Sequence, residues 1–84
     1  MEIPAVDSLW IDNDPRVEPT RFIQVLSAPD SQDRVECRTW YDESIGTART
    51  AKLAVKRFQQ LAGGTWSKTG YRPADREPEH GRPA

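Results

Sequence analysis

The alternation between Arg34 and Asp42 limits this chain's folds more than any other feature. Val35, Cys37, Thr39 and Tyr41 fall on one face, and Arg34, Glu36, Arg38 and Trp40 on the other. A period of two marks a half-buried strand. A strand needs partners, and neighbouring stretches offer them. Arg21 to Ser27 (RFIQVLS) is rich in β-branched and aromatic residues and reads as a second strand. Ala28-Pro29-Asp30-Ser31 between the two is turn chemistry, so they form an antiparallel hairpin. Val6 to Ile11 reads as an earlier strand, ended by Asn13-Asp14-Pro15. Ser44-Ile45-Gly46-Thr47 closes the third strand, and Thr69 to Arg72 reads as a short last one.

Residues 48–62 fit two patterns. As a strand, Ala51, Leu53 and Val55 point in while Lys52 and Lys56 point out. As a helix, Ala51, Ala54, Val55, Phe58, Leu61 and Ala62 form one stripe, with Gly63-Gly64 as its stop. The fold expected is mainly β; the alternative is α+β with a longer helix over 48–62. At 84 residues there is room for one core only. The domain spans 1–72, with its ordered part starting near residue 4. Residues 73–84 carry three of the seven prolines and no large apolar side chain, so they read as a disordered, charged, Pro-rich tail.

Little in the chain suits catalysis, and a non-enzyme is expected. Cys37 is a lone thiol at an inward strand position, which reads as a buried core residue. A single cysteine allows no intrachain disulfide, which suits a reducing, intracellular setting, the cytoplasm. His80, the one histidine, lies in the tail. Metal-ligand spacings, phosphate-loop motifs and a serine triad are all missing, so no cofactor and no metal are expected. Asp12-Asn13-Asp14 fails as a calcium loop, since Val17 and Ile23 stand where glycine and glutamate are needed. These three read as turn formers, with Asp12 or Asp14 placed to pair with Arg16 or with a later base. No signal peptide or membrane span is legible.

Charge is the most informative feature for function. The net charge is -1, yet its distribution is lopsided. Residues 1–18 hold five acids (Glu2, Asp7, Asp12, Asp14, Glu18) and one base, Arg16. Residues 44–74 hold six bases (Arg49, Lys52, Lys56, Arg57, Lys68, Arg72) and no acid. Trp66, Tyr71 and Phe58 interleave with those bases. Bases with neighbouring aromatics suit a phosphate backbone and stacked nucleobases, or an acidic protein surface. The competing reading is that the acidic N-terminal strand lies against the basic one and neutralises it. A different class of function is protein recognition, using an outward Trp40 beside Arg38 together with a sheet edge.

Ser8 to Arg16 (SLWIDNDPR), Lys56-Arg57-Phe58 and Ser67 to Arg72 (SKTGYR) together resemble small uncharacterised proteins of actinobacteria and their phages. Those share a W-x-D-N-D-x-R start, carried here by Trp10, Asp12, Asn13, Asp14 and Arg16 in a structural role. They also share a central hairpin, a basic strand ending in R-F and a T-G-Y-R end. The resemblance covers roughly residues 8–72. It implies a small SH3-like barrel or curled antiparallel sheet, and no activity to transfer. This chain departs from the pattern between Phe58 and Thr69, where it has extra residues. A strand over 50–55 followed by a short helix near residues 56–62 accommodates them. The leading expectation is thus a non-enzymatic, phage-type binding module that meets nucleic acid or an acidic surface through residues 49–72. The alternative is a module that binds and modulates a host protein through Trp40 and a sheet edge.

Overall fold

A computed structural model describes residues 3–17 and 20–83. Five strands form one antiparallel sheet: β1 (Leu9–Asp12), β2 (Arg21–Val25), β3 (Arg34–Tyr41), β4 (Ser44–Ala54) and β5 (Tyr71–Pro73). Their order is β4-β3-β2-β1-β5, so β4 and β5 lie at opposite edges and the sheet stays open. The expected β-hairpin is present, with Ile23 opposite Thr39 and Val25 opposite Cys37. Its loop is tied by Asp30, whose carboxylate accepts the N–H groups of Gln32 (2.8 Å) and Arg34 (3.1 Å).

The turn after β3 falls at Asp42-Glu43, earlier than the expected 44–47, because Tyr41 already pairs with Ser44. Residues 44–47 instead begin β4. β1 likewise starts later than expected. The chain turns at Val6-Asp7, with Asp7 at φ 71°, and the Asp7 N–H donates to Val25 O at 2.7 Å.

The ambiguous stretch resolves as strand and then turn. β4 runs for eleven residues, and a 3₁₀ turn, η1 (Val55–Phe58), follows. A longer helix over 48–62 does not form. β3 offers a free edge eight residues long, and pairing with it buries Leu53 opposite Val35 and Ala51 opposite Cys37. Those gains outweigh a local helical preference of a few tenths of a kcal/mol per residue. Of the helical stripe, only Val55 and Phe58 are buried, whereas Leu61 is 49% exposed. The glycines make a tight turn rather than a helix stop. Gly63 and Gly64 sit at φ 87° and 84°, and the turn closes a bridge between Gln60 and Trp66.

Directly paired residues share a sheet face, and both faces of this sheet are covered. The front carries Ile23, Val25, Val35, Cys37 and Tyr71, roofed by Val55 and Phe58, with Trp10 and Leu53 packed against them. The chain from η1 to β5 crosses this face from one edge to the other. Gly70 permits the crossing, since a Cβ there would lie 2.7 Å from the Arg57 carbonyl oxygen. The back carries Ile11, Phe22 and Trp40, with Leu9, Ala48 and Ala74 beside them. No helix among the described residues is long and apolar enough to cross a membrane.

Cys37 is fully buried at the centre of the front face. Burial, and then the charge of Glu36, push its thiol up to about 12. The thiolate is the reactive form. Alkylation by iodoacetamide at pH 8 is therefore expected to be roughly a thousandfold slower in the native protein than in urea. A native rate matching the unfolded one would put Cys37 outside the core.

Candidate nucleic-acid interface

The six bases of residues 44–74 do not lie together; the sheet sorts them by parity. Arg49 stands opposite Thr39 on the front face, is exposed, and has no acidic partner among the described residues. Lys56 and Arg57 project from η1, whose Val55 and Phe58 face the front core. Lys68 is exposed on the loop before β5. Lys52 and Arg72 go to the back. Lys52 lies opposite Glu36 and pairs with Asp30 at 3.6 Å; Arg72 lies opposite Ile11 and pairs with Asp75 at 3.4 Å.

The acidic N-terminal strand lies against only one end of the basic segment: Asp12 stands opposite Tyr71 of β5, while β4 is out of its reach, and Glu2 and Glu18 lie outside the described residues. β1 pairs with β2 and β5, and two strands separate it from β4. The acids that pair with the basic segment are Asp30 of the β2–β3 loop and Asp75 beyond β5, and Glu36 of β3 stands opposite Lys52. Such exposed pairs contribute little, about 0–1 kcal/mol each.

Arg57 is held in place. Its Nε and Nη2 donate to Thr69 O at 3.3 and 2.9 Å, and its guanidinium lies 4.6 Å from the Tyr71 ring centroid. A groove of about 280 Å³ runs beside it, lined by Lys56, Gln59, Leu61, Ser67, Thr69 and Gly70. The front side therefore carries two basic groups, Lys56 and Arg57 with Lys68 near this groove, and Arg49 beside a separate cleft. Arg21 of β2 joins them, opposite Tyr41 on the same face. Sequence reasoning missed Arg21 because it lies outside the basic run; its strand parity was the available signal.

The expected aromatic platforms are not on this surface. Tyr71 is 1% exposed, wedged at 4.9 Å from Phe58. Trp66 is half-buried, edge-on to Trp10 at 5.8 Å. Both fill the space under the crossing chain, where apolar rings are better placed than in water.

Trp40 is also corrected. It is 1% exposed and stacks on Phe22 at 5.9 Å, so it offers no surface anchor. Its face of β3 meets solvent at Arg34 and Glu36 but is covered at Trp40, where the C-terminal segment runs over it. Ala74 N–H donates to Leu9 O at 3.0 Å, and Arg76 donates to Thr20 Oγ1 at 2.9 Å with its guanidinium over Phe22. Asp42 accepts the backbone N–H groups of Glu79 and His80, each at 3.2 Å. Half-buried Arg38, the other expected contact residue, donates to Pro83 O at 3.2 Å. Residues 74–83 thus follow the sheet through polar contacts, which composition alone did not reveal; residue 84 lies outside the described residues. Burial disfavours the charged form of Asp42, but the His80 and Glu79 N–H groups outweigh it and hold its carboxyl below the ordinary value.

The N-terminal motif residues all bond within the fold. Asn13 Nδ2 donates to the carbonyls of Trp66 and Ser67, both at 3.0 Å, and so clamps the loop before β5. Asp14 bonds the side chain and backbone N–H of Arg16, which holds its carboxyl down at about 2. Asp12 accepts from Arg21 at 3.3 Å and from the Asp14 N–H at 3.1 Å. Trp10 donates from Nε1 to Ser8 Oγ at 2.9 Å.

No family model matches this sequence, and no curated protein or solved structure shows a match to it.

Proposed function

We propose that this chain is a small non-enzymatic binding module that holds the phosphate backbone of nucleic acid on its front side. One observation carries the reading: Arg49, Lys56, Arg57 and Lys68 lie on that side with Arg21, and among the described residues no acid forms an ion pair with those four, while Asp12 pairs with Arg21. Phe58 and Tyr71 are in the core and Trp66 is half-buried, which leaves Tyr41 as the exposed ring beside Arg21, so contact runs mainly through phosphates and sequence preference is weak. The resemblance to phage-type proteins agrees with a small binding module in a host cell.

The test is fluorescence anisotropy with labelled single-stranded DNA, duplex DNA and RNA, from 50 to 200 mM salt. Four phosphate contacts predict an affinity falling about 100-fold over that range on duplex DNA. The variant R49E/K56E/K68E is expected to lose binding, whereas K52Q/R72Q, on the back, is expected to keep it. Arg57 is spared because it bonds Thr69 O. Absence of salt-sensitive binding at 50 mM would overturn the reading. So would equal losses from the front and back variants.

A further inference from the structure

We propose that the notch beside the irregular step in the β3–β4 ladder is a binding site for a single phosphate group, gripped by Arg21 and Arg49. The ladder pairs Thr39 with Arg49 and Tyr41 with Ser44, so its register shifts between Thr39 and Tyr41. Such irregularities open a strand pair locally and re-aim side chains, and they recur beside functional sites. Here the shift coincides with a cleft of about 260 Å³ lined by Arg21, Thr39, Trp40, Tyr41 and Arg49.

Strand register places the two cations. Arg21 lies opposite Tyr41 on one side of β3, and Arg49 lies opposite Thr39 on the other. Thr39 and Tyr41 share the front face, so both guanidinium groups rise from that face and flank β3. Their strands stand roughly 10 Å apart across two strand spacings, a span that two extended arginines bridge around one anion. No acid among the described residues lines the cleft. Arg21 is steadied by a single contact from Nη1 to the largely buried Asp12, which leaves most of its donors unused. Arg49 has no ion-pair partner among the described residues. Thr39, 2% exposed, adds a hydroxyl-bearing wall.

The chemistry selects phosphate. A guanidinium fork matches two oxygens of an oxyanion. Two forks arriving from opposite sides need oxygens pointing both ways, which a tetrahedral phosphate presents and a planar carboxylate does not. The site rests on the nucleic-acid reading only for the source of that phosphate: an internal or terminal phosphate of a strand, or the free ion.

The experiment is an amide-resolved NMR titration of the full chain with inorganic phosphate, against chloride at matched ionic strength. Saturable shifts at residues 21, 39–41 and 49 are expected. R49Q is expected to weaken phosphate about tenfold or more, the scale of one lost charge-assisted pair. R49K, which keeps the charge but loses the fork, should fall between. Arg49 is exposed, so neither variant disturbs the core. Shifts that never saturate and spread equally over Lys52 and Arg72 would overturn the site, as would an R49Q titration matching wild type. Parallel anisotropy with oligonucleotides bearing a 5′-phosphate or a 5′-hydroxyl separates a terminal from an internal phosphate. Saturable phosphate binding without nucleic-acid binding would keep the site and remove the proposed function. Salt-sensitive nucleic-acid binding that R49Q leaves unchanged, with no phosphate titration, would do the reverse.

Discussion

Phe58→Ala is expected to remove most of the domain's net stability. Phe58 is 2% exposed at the end of η1, where the chain leaves β4 to cross the front face. Its ring meets Trp10 edge-on at 5.1 Å and Tyr71 at 4.9 Å, so it ties η1 to β1 and β5 together. Truncating a buried phenylalanine costs about 3–5 kcal/mol. A chain of this length has a net stability of roughly 4–12 kcal/mol. Urea unfolding followed by tryptophan fluorescence should show the midpoint fall by about half or more. Leu61→Ala is the matched comparison, because the helical pattern put Phe58 and Leu61 on the same stripe. Leu61 is 49% exposed, so its loss should stay within about 0.5 kcal/mol. Equal losses at the two positions would mean that the chain continues as a helix past Phe58.

Trp40 is expected to behave as a core residue with one poor feature. Trp40→Ala should cost about 3–5 kcal/mol, since the ring is buried against Phe22 and Ile11. Trp40→Phe should cost far less, about 1 kcal/mol or below. Trp40 Nε1 is buried with no hydrogen-bond partner among the described residues, and a buried donor left unpaired is penalised by about 1–3 kcal/mol. Removing that N–H offsets part of the lost volume. Chemical denaturation of both variants at one temperature decides the matter. A Trp40→Phe loss as large as that of Trp40→Ala would mean that the indole N–H is satisfied after all. Any partner lost with Trp40→Ala reports unfolding, so this variant does not separate protein recognition from nucleic-acid contact.

Several elements were readable from local pattern. The strands 21–25 and 34–41 follow from alternation and β-branched residues, and Asp30 marks the turn between them. The bases of the candidate interface were also legible as a run without acids. Arg21 was not, since it joins them only through a neighbouring strand. The stretch 48–62 defeated local reading because its apolar spacing serves a strand and a helix about equally. Partner strand β3 settles it by offering residues 49–54 a ladder and a core face.

By itself, then, the sequence determined the class of fold, the central hairpin, the buried inward row at Val35, Cys37 and Thr39, and the uneven charge. Those depend on contacts a few residues apart, where periodicity and turn chemistry act directly. The tertiary structure alone decided the strand order, and with it whether acids meet bases. It also decided that Trp40 is covered and that Arg21 and Arg49 converge across β3. A period of two tells that a strand has two faces; it does not tell whether the second meets water or another part of the chain. That depends on segments distant in sequence, here residues 74–83 and the crossing from β4 to β5.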